Sequence, residues 1–232
     1  MSKIEWTQAT WNPVTGCTKI SEGCQNCYAE KMHKRLQAMG QTKYQEDFNK
    51  VTQCAEELHK TFGKKPKMVF VNSMSDLFHN DVFGAYISSV LISCANLANR
   101  QHIFQILTKR SDRLFRFHYP DNVWLGVSVE LAKYKNRIDD LRNTDAKVKF
   151  LSCEPLLGDL GELDLSGIDW VIVGAESGPG IRECKLEWIE NIVLQATAAK
   201  VPVFVKQAHI NGKLVKMPHI FGSEWAEYPV SK

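Results

Sequence analysis

Short apolar runs, rich in β-branched and aromatic residues, recur along the chain from residue 68 onward. Such runs are typical of parallel strands that are buried on both faces. If the segment around Thr7–Trp11 is the first strand, seven parallel strands are predicted. The other six runs are 68–71, 103–107, 123–127, 148–151, 170–173 and 203–205.

Helical patterns separate these apolar runs. Apolar positions recur with helical spacing over residues 87–98, 131–141 and 186–196, and a further helix is predicted from Tyr28 to Met39. Strands that alternate with helices indicate βαβ units with right-handed crossovers. The pattern therefore predicts an α/β fold with parallel strands.

Two regions depart from this alternation. Residues 41–66 form a predicted insertion with one helix over 51–58. After the last apolar run no helix is predicted, because Asn211-Gly212 favours a tight hairpin turn, and residues 207–232 are expected to form a non-helical tail. No linker or repeat interrupts the pattern, so we predict a single domain over residues 1–232.

The composition narrows the class of protein. Of the 232 residues, 44% are hydrophobic and 24% are charged, and the formal net charge is +3. This balance is typical of soluble globular proteins and excludes disordered, collagen-like and coiled-coil classes. The segment Met1–Trp6 lacks the apolar stretch of a signal peptide, and serines interrupt the apolar helix at 83–98. We therefore expect a cytoplasmic protein that makes no use of a membrane.

Polar and charged residues follow the apolar runs at the point where each predicted strand ends. The carboxyl ends of parallel strands lie at one edge of a sheet, where α/β folds place their chemistry. The alternative is that these residues begin loops, cap helices or form ion pairs, as Lys109 would with Glu130 or Lys206 with Glu176. The candidates are Ser73, Ser75, Asp76, Lys109, Ser128, Glu130, Glu154, Glu176, Ser177, Gly178 and Lys206.

Three of the seven cysteines cluster in one polar, glycine-rich loop, as Cys17, Cys24 and Cys27. An odd number of cysteines without an export signal indicates reduced thiols. The C-x6-C-x2-C spacing lets three thiolates face a common centre, which suits an iron–sulfur cluster with one iron left open. The alternative is a zinc site closed by a fourth side chain. The candidates for that fourth ligand are Cys54, Cys153, Cys184, His79 and His209.

Motifs over almost the whole chain resemble the phage-associated three-cysteine family, which is radical-SAM-like and of unknown function. The similarity lies in the cysteine loop, Ser21–Ala29, and in the strand ends, such as 70–79 and 150–158. The resemblance implies a partial (βα)6–7 TIM-type barrel, a [4Fe–4S] cluster on Cys17, Cys24 and Cys27, and S-adenosylmethionine (SAM) at the open iron. The spacing between the first two cysteines is longer here than the C-x3-C-x2-C pattern usual in radical SAM enzymes.

The resemblance also implies roles for the strand-end residues. Ser73, Ser75 and Asp76 would accept hydrogen bonds from the SAM ammonium group. Ser128, Glu130 and the Glu176-Ser177-Gly178 turn would lie along the rest of the cofactor, with the ribose hydroxyls bound by Glu130 or by that turn. Lys109, Glu154 and Lys206 would contact the substrate as catalytic residues.

Two functions of different class follow. In the first, an external electron donor reduces the cluster, SAM is cleaved to a 5′-deoxyadenosyl radical, and the substrate is a nucleic acid or nucleotide. The basic residues Lys109, Arg110, Arg113 and Arg116, interleaved with Phe115, Phe117 and Tyr119, would suit a phosphate backbone with stacked bases. A solvated helix face whose aromatic residues point into the core explains them better. In the second, zinc or an inert cluster stabilises a binding protein that acts through a partner protein encoded nearby. Both place the protein in a bacterial or phage-infected host cell.

Overall fold

The computed structural model describes residues 4–178 and 180–229, in which strands and helices alternate. The α-helices of this part of the chain are α1 (Tyr28–Ala38), α2 (Gly84–Ala95), α3 (Asn136–Arg142) and α4 (Leu186–Ala198). Its strands are β1 (Ala9–Trp11), β2 (Val14–Thr15), β3 (Thr52–Gln53), β4 (Met68–Val71), β5 (Ile103–Thr108), β6 (Val123–Ser128), β7 (Val148–Cys153), β8 (Trp170–Gly174), β9 (Val203–Ile210), β10 (Lys213–Lys216), β11 (His219–Ile220) and β12 (Ser223–Glu224).

Eight of the described strands form one mostly parallel sheet, in the order β1-β4-β5-β6-β7-β8-β9-β10. Strand β4 pairs in parallel with β1 and with β5, and β8 does so with β7 and with β9. Only β10 runs antiparallel to its neighbour β9 among the pairings described in this sheet. The predicted α/β class with parallel strands is therefore confirmed.

The chain divides into two compact units, Met1–Leu125 with Thr144–Lys147 and Gly126–Asn143 with Val148–Lys232. In the first unit the core contains the rings of Trp11, Phe62 and Phe104, which meet edge to face with centroids 5.6–6.0 Å apart. In the second, all five residues of β8 are buried. Helix α4 buries the stripe Ile189, Ile192, Val193 and Ala196.

The seven predicted strands are all present, with bounds that differ by a few residues from the apolar runs. The predicted helix from Tyr28 ends at Ala38, and the hairpin at Asn211-Gly212 joins β9 to β10. No helix follows α4 in the described residues, as expected for the tail; residues 230–232 of that tail, like Met1–Lys3, lie outside the described part.

Two segments predicted as regular helices contain 3-10 turns in the structure. The stripe at 131–141 is divided between a 3-10 turn, Ala132–Tyr134, and the short helix α3. In the insertion at 41–66, the predicted helix is a 3-10 turn at Ala55–His59. The indole of Trp11 donates to the carbonyl oxygen of Glu57 at 3.1 Å, so a tertiary contact satisfies a carbonyl near the end of this turn.

None of the helices in the described residues combines the length and the apolar character that crossing a bilayer requires.

Candidate functional site

The three-cysteine loop connects β2 to α1 in the first unit, and two contacts fix where it begins. Gly16 forms a parallel bridge with Ser75, just beyond the end of β4. Its backbone has φ +79°, and a Cβ there would lie 2.2 Å from the carbonyl oxygen of Lys50, so only glycine fits. The amide of Cys17 donates to the carbonyl of Phe48 at 2.8 Å. The loop is therefore held at the carboxyl end of β4, where the sequence predicted chemistry.

Cys17, Cys24 and Cys27 are free thiols and partly exposed, whereas Cys54, Cys94, Cys153 and Cys184 are buried. The sulfur of Cys24 lies 3.7 Å from the hydroxyl of Ser21. Cys27 directly precedes the first residue of α1. The structure therefore separates the clustered cysteines from the single ones, which fill space in the core as small hydrophobic residues.

The thiol of Cys17 lies among charged groups. Burial raises its pKa to about 12, the Asp76 carboxylate acts in the same direction, and the Arg110 guanidinium opposes both. The Cys24 sulfur also raises the pKa of Cys17. Metal ligation requires the thiolate, so a bound cation would have to displace the proton of Cys17.

A hydrogen-bonded network of Arg110, Thr18 and His79 lies beside Cys17. The Nη2 of Arg110 donates to the carbonyl and hydroxyl oxygens of Thr18, both at 2.9 Å. The Nδ1 of His79 accepts from the amide of Asp81, so Nε2 carries the proton and donates to the Thr18 hydroxyl at 2.7 Å. Arg110 and His79 both follow predicted strands, so their positions at strand ends were a signal for this network.

The donor chemistry of the three cysteines fits an iron–sulfur cluster or a zinc ion, because both take thiolate ligands. Their placement on one partly exposed loop also fits. Within residues 4–178 and 180–229, however, no three His, Cys, Asp or Glu side chains already surround one point as metal ligands. Binding therefore requires the side chains of Cys17, Cys24 and Cys27 to turn towards a common centre.

The predicted residues after β4 connect neighbouring segments of the first unit. Ser73 donates to the side-chain oxygen of Asn12 at 3.1 Å, and Ser75 donates to the carbonyl of Val14 at 2.7 Å. The preceding residue, Asn72, is buried, has φ +60°, and accepts from the amide of Val14 through Oδ1, while its Nδ2 has no partner. These bonds tie the end of β4 to the segment that leads into the cysteine loop.

Asp76 joins the same loop to the end of β5. Its carboxylate accepts from the Thr108 hydroxyl at 2.7 and 2.8 Å, from the Lys109 amide at 3.1 Å and from the Phe78 amide at 3.0 Å. The backbone of Lys109, a predicted catalytic residue, is thus positioned by Asp76, and its side chain is half-buried.

The basic segment after β5 is engaged in the fold. Arg113 donates to the backbone carbonyls of Phe78, His79 and Val82 at 2.5–3.3 Å. Tyr119 is buried, and its hydroxyl donates to the carbonyl of Leu114. Two members of the candidate nucleic-acid surface therefore hold the first unit together.

In the second unit, the predicted acidic residues are paired with bases. Glu154 and Lys206 form an ion pair at 2.5 Å, and Glu176 pairs with Arg182. The sequence offered Glu176 as the partner of Lys206, and the ion pair described for Lys206 is the one with Glu154. A Cβ at Gly174 would lie 3.6 Å from the carboxyl carbon of Glu154 and 3.5 Å from the Cβ of Lys206.

Glu130, also in the second unit, is fully buried and accepts from Arg137 at 2.9 Å. The same guanidinium donates to the carbonyl of Ser128 at 2.8 Å and lies 4.1 Å from the ring centroid of Tyr134. The predicted Ser177 and Gly178 are exposed. Glu130 and Ser128 are therefore held by one internal arginine, which sequence reasoning did not single out.

An open cavity of about 990 Å³ lies elsewhere in the second unit, on the side where β8 and β9 begin. It contains none of the predicted site residues. Its lining comprises Lys135, residues 162–169 and residues 199–201.

The fold and the site together define an α/β protein with a mostly parallel sheet and a three-cysteine loop at the carboxyl end of a strand. The chain belongs to a family described as protein of unknown function (DUF5131), whose model matches residues 1–225. No match was found among curated proteins or among solved structures.

Proposed function

We propose that the protein is a radical SAM-type iron–sulfur enzyme, in which Cys17, Cys24 and Cys27 hold a [4Fe–4S] cluster with one iron open to SAM. The observation that carries the proposal is the partition of the cysteines: three partly exposed thiols lie on one loop at a strand end, and four are buried. Such a cluster, reduced by an external donor, supplies the electron that cleaves SAM to a 5′-deoxyadenosyl radical.

The residues after β4 have different roles in binding SAM. Ser73 and Ser75 donate their own hydroxyl protons internally, which leaves oxygen lone pairs to accept from the SAM ammonium group. Asp76 already accepts from three groups of the protein. It therefore supports the loop and contributes negative charge, while the serines make the contact.

The proposal extends to the fold and the substrate. The strands of the mostly parallel sheet would form a partial (βα)6–7 TIM-type barrel, and the substrate would be a nucleic acid or nucleotide. Lys109 would contact that substrate from the end of β5. The roles assigned to the residues of the second unit stay predictions, namely Ser128, Glu130, Glu154, Glu176, Ser177, Gly178 and Lys206.

Anaerobic reconstitution with iron and sulfide tests the cluster directly. We expect about four irons per chain, a brown colour, and 5′-deoxyadenosine when SAM and dithionite are added. Replacing Cys17, Cys24 or Cys27 with alanine should abolish iron binding, because each supplies one ligand. Cys94→Ala is the matched control, since Cys94 is buried in α2 of the same unit and should be irrelevant to iron. Equal iron content in Cys24→Ala and the control would refute the ligand assignment.

A colourless, zinc-loaded protein that leaves SAM intact would instead support the metal-stabilised binding protein. One observation favours this second function: in the second unit the acidic candidates Glu130, Glu154 and Glu176 are all engaged in ion pairs. In that case Cys54→Ala should release zinc if Cys54 is the fourth ligand, and the protein would act through its partner rather than by radical chemistry.

A further inference from the structure

Arg110 is a buried cation that forms no ion pair within the described residues. Only 8% of its surface is exposed, at the end of β5 in the first unit. None of the ion pairs among residues 4–178 and 180–229, taken to 4.0 Å, includes it. Its Nε is buried and has no hydrogen-bond partner. Burying a guanidinium is unfavourable unless an anion compensates, so the site is built to receive negative charge.

The contacts of Arg110 show where that negative charge would lie. Its Nη2 lies 2.9 Å from the carbonyl oxygen of Thr18, and the sulfur of Cys17 lies 3.5 Å from that same oxygen. The guanidinium charge also lowers the pKa of the Cys17 thiol. Because Arg110 and Cys17 both contact the carbonyl oxygen of Thr18, the guanidinium is held close to the first cysteine of the loop.

Asp76 is the acid that shares this neighbourhood, but its oxygens are engaged by neutral donors. The Thr108 hydroxyl and the amides of Phe78 and Lys109 occupy them. The Asp76 charge raises the pKa of Cys17 and the Arg110 charge lowers it, so the two side chains act in opposite directions on negative charge at this sulfur.

We infer that Arg110 is a positioning residue for the iron–sulfur centre, which holds the Cys17 ligand and raises the reduction potential of the bound cluster. The inference rests on the proposed function. One electron, taken from an external donor, makes the centre more negative by one charge, and no proton or bond changes at Arg110. A fixed buried cation stabilises that added charge, and hydrogen bonds to ligand sulfurs are among the groups that set cluster potentials.

The test is a redox titration of the reconstituted protein with dithionite, followed by the spectrum of the reduced cluster. The variants are Arg110→Gln and Arg110→Met, which remove the charge, and Arg110→Lys, which keeps it. Arg116→Gln is the matched control, because Arg116 is exposed in the same 3-10 turn, Ser111–Arg116. We expect a more negative midpoint potential in the first two variants, partial or full recovery in the lysine variant, and no change in the control.

Two variants without the charge keep the test decisive if one of them fails to fold, which circular dichroism reveals. Loss of iron from the folded glutamine or methionine variant, with iron kept in Arg110→Lys, supports the same role. Wild-type potential and iron content in both charge-removing variants would overturn this inference and leave the cluster itself intact. A wild-type protein that takes up no iron would overturn the proposed function, and the inference with it.

Discussion

At the scale of single residues, the environment of the cysteine loop depends on side chains that the sequence does not mark as partners. The charges of Asp76 and Arg110, which come from the ends of two different strands, shift the pKa of Cys17 in opposite directions. The positions of both at strand ends could be predicted from the apolar pattern. Their contacts could not, because the length and path of the loop after β2 decide which strand end faces the sulfur. The bridge between Gly16 and Ser75 sets that path.

Asp76 is the residue whose loss should disturb this arrangement most. In Asp76→Asn, one carboxylate oxygen becomes an amide NH2 group, which cannot accept, so either the Phe78 amide on Oδ1 or the Lys109 amide on Oδ2 loses its acceptor. We expect the free energy of unfolding in urea to fall by about 1.5–3 kcal/mol.

The exposed Asp112 offers the control for that experiment. Asp112→Asn should change the free energy of unfolding by less than about 0.5 kcal/mol. If both variants lose the same stability, the hydrogen bonds of Asp76 contribute less than the structure indicates. The loss of one negative charge, which both variants share, would then account for the effect.

At the scale of elements, strands were predicted better than helices, and the reason lies in burial. Strand β6 is buried at all six positions, so every residue in it is apolar or small and the run is unmistakable. Short helices carry fewer such positions. Around 131–141, Arg137 turns back to the buried Glu130, and this tertiary contact accompanies the break between the 3-10 turn and α3. Local propensity does not report such contacts.

The hairpin between β9 and β10 was predictable because its turn needs particular residues. Ile210 pairs with Lys213, and the two residues between them have φ values of +50° (Asn211) and +73° (Gly212). Both angles are positive, as in the two-residue turn that best matches the twist of antiparallel strands.

This turn gives a backbone test that is free of packing effects. A Cβ at Gly212 would meet no atom within 4 Å, so only the left-handed conformation opposes a side chain there. Gly212→Ala should therefore lower the free energy of unfolding by about 1–2 kcal/mol. Asn211→Gly, which suits the same conformation, should change it by less than about 0.5 kcal/mol. Equal effects of the two substitutions would argue against this turn in solution.

At the scale of the whole molecule, the α/β class and the order of its strands along the chain followed from alternation of apolar runs and helical stripes. The predicted chemistry followed from the rule that parallel sheets carry it at their carboxyl edges. That rule located Ser73, Ser75 and Asp76 beside the cysteine loop, in one unit. It did not reveal that Glu130 and Glu176 have arginine partners, because Arg137 and Arg182 lie outside the strand ends.

Two buried histidines of the first unit make its stability depend on pH. Burial lowers the pKa of His79 below its ordinary value of 6.5, with the Arg110 charge acting in the same direction, and burial also lowers the pKa of His102. Both rings therefore stay neutral in the folded protein at a pH where the unfolded chain already binds protons. Because the unfolded state then binds more protons, the free energy of unfolding should be highest above pH 6.5 and fall as the pH decreases below it.

Urea unfolding of the apoprotein between pH 8 and about pH 5 measures this dependence. His79→Gln removes the titrating ring, so its stability should fall less steeply below pH 6.5 than that of the wild type, although its stability above that pH is lower because the Asp81 amide loses its acceptor. His59→Gln, at an exposed position, should follow the wild-type curve. A His79→Gln curve parallel to the wild type throughout would show that His79 is as easily protonated in the folded state as in the unfolded one, and the neutral His79–Thr18 bond beside Cys17 would have to be abandoned.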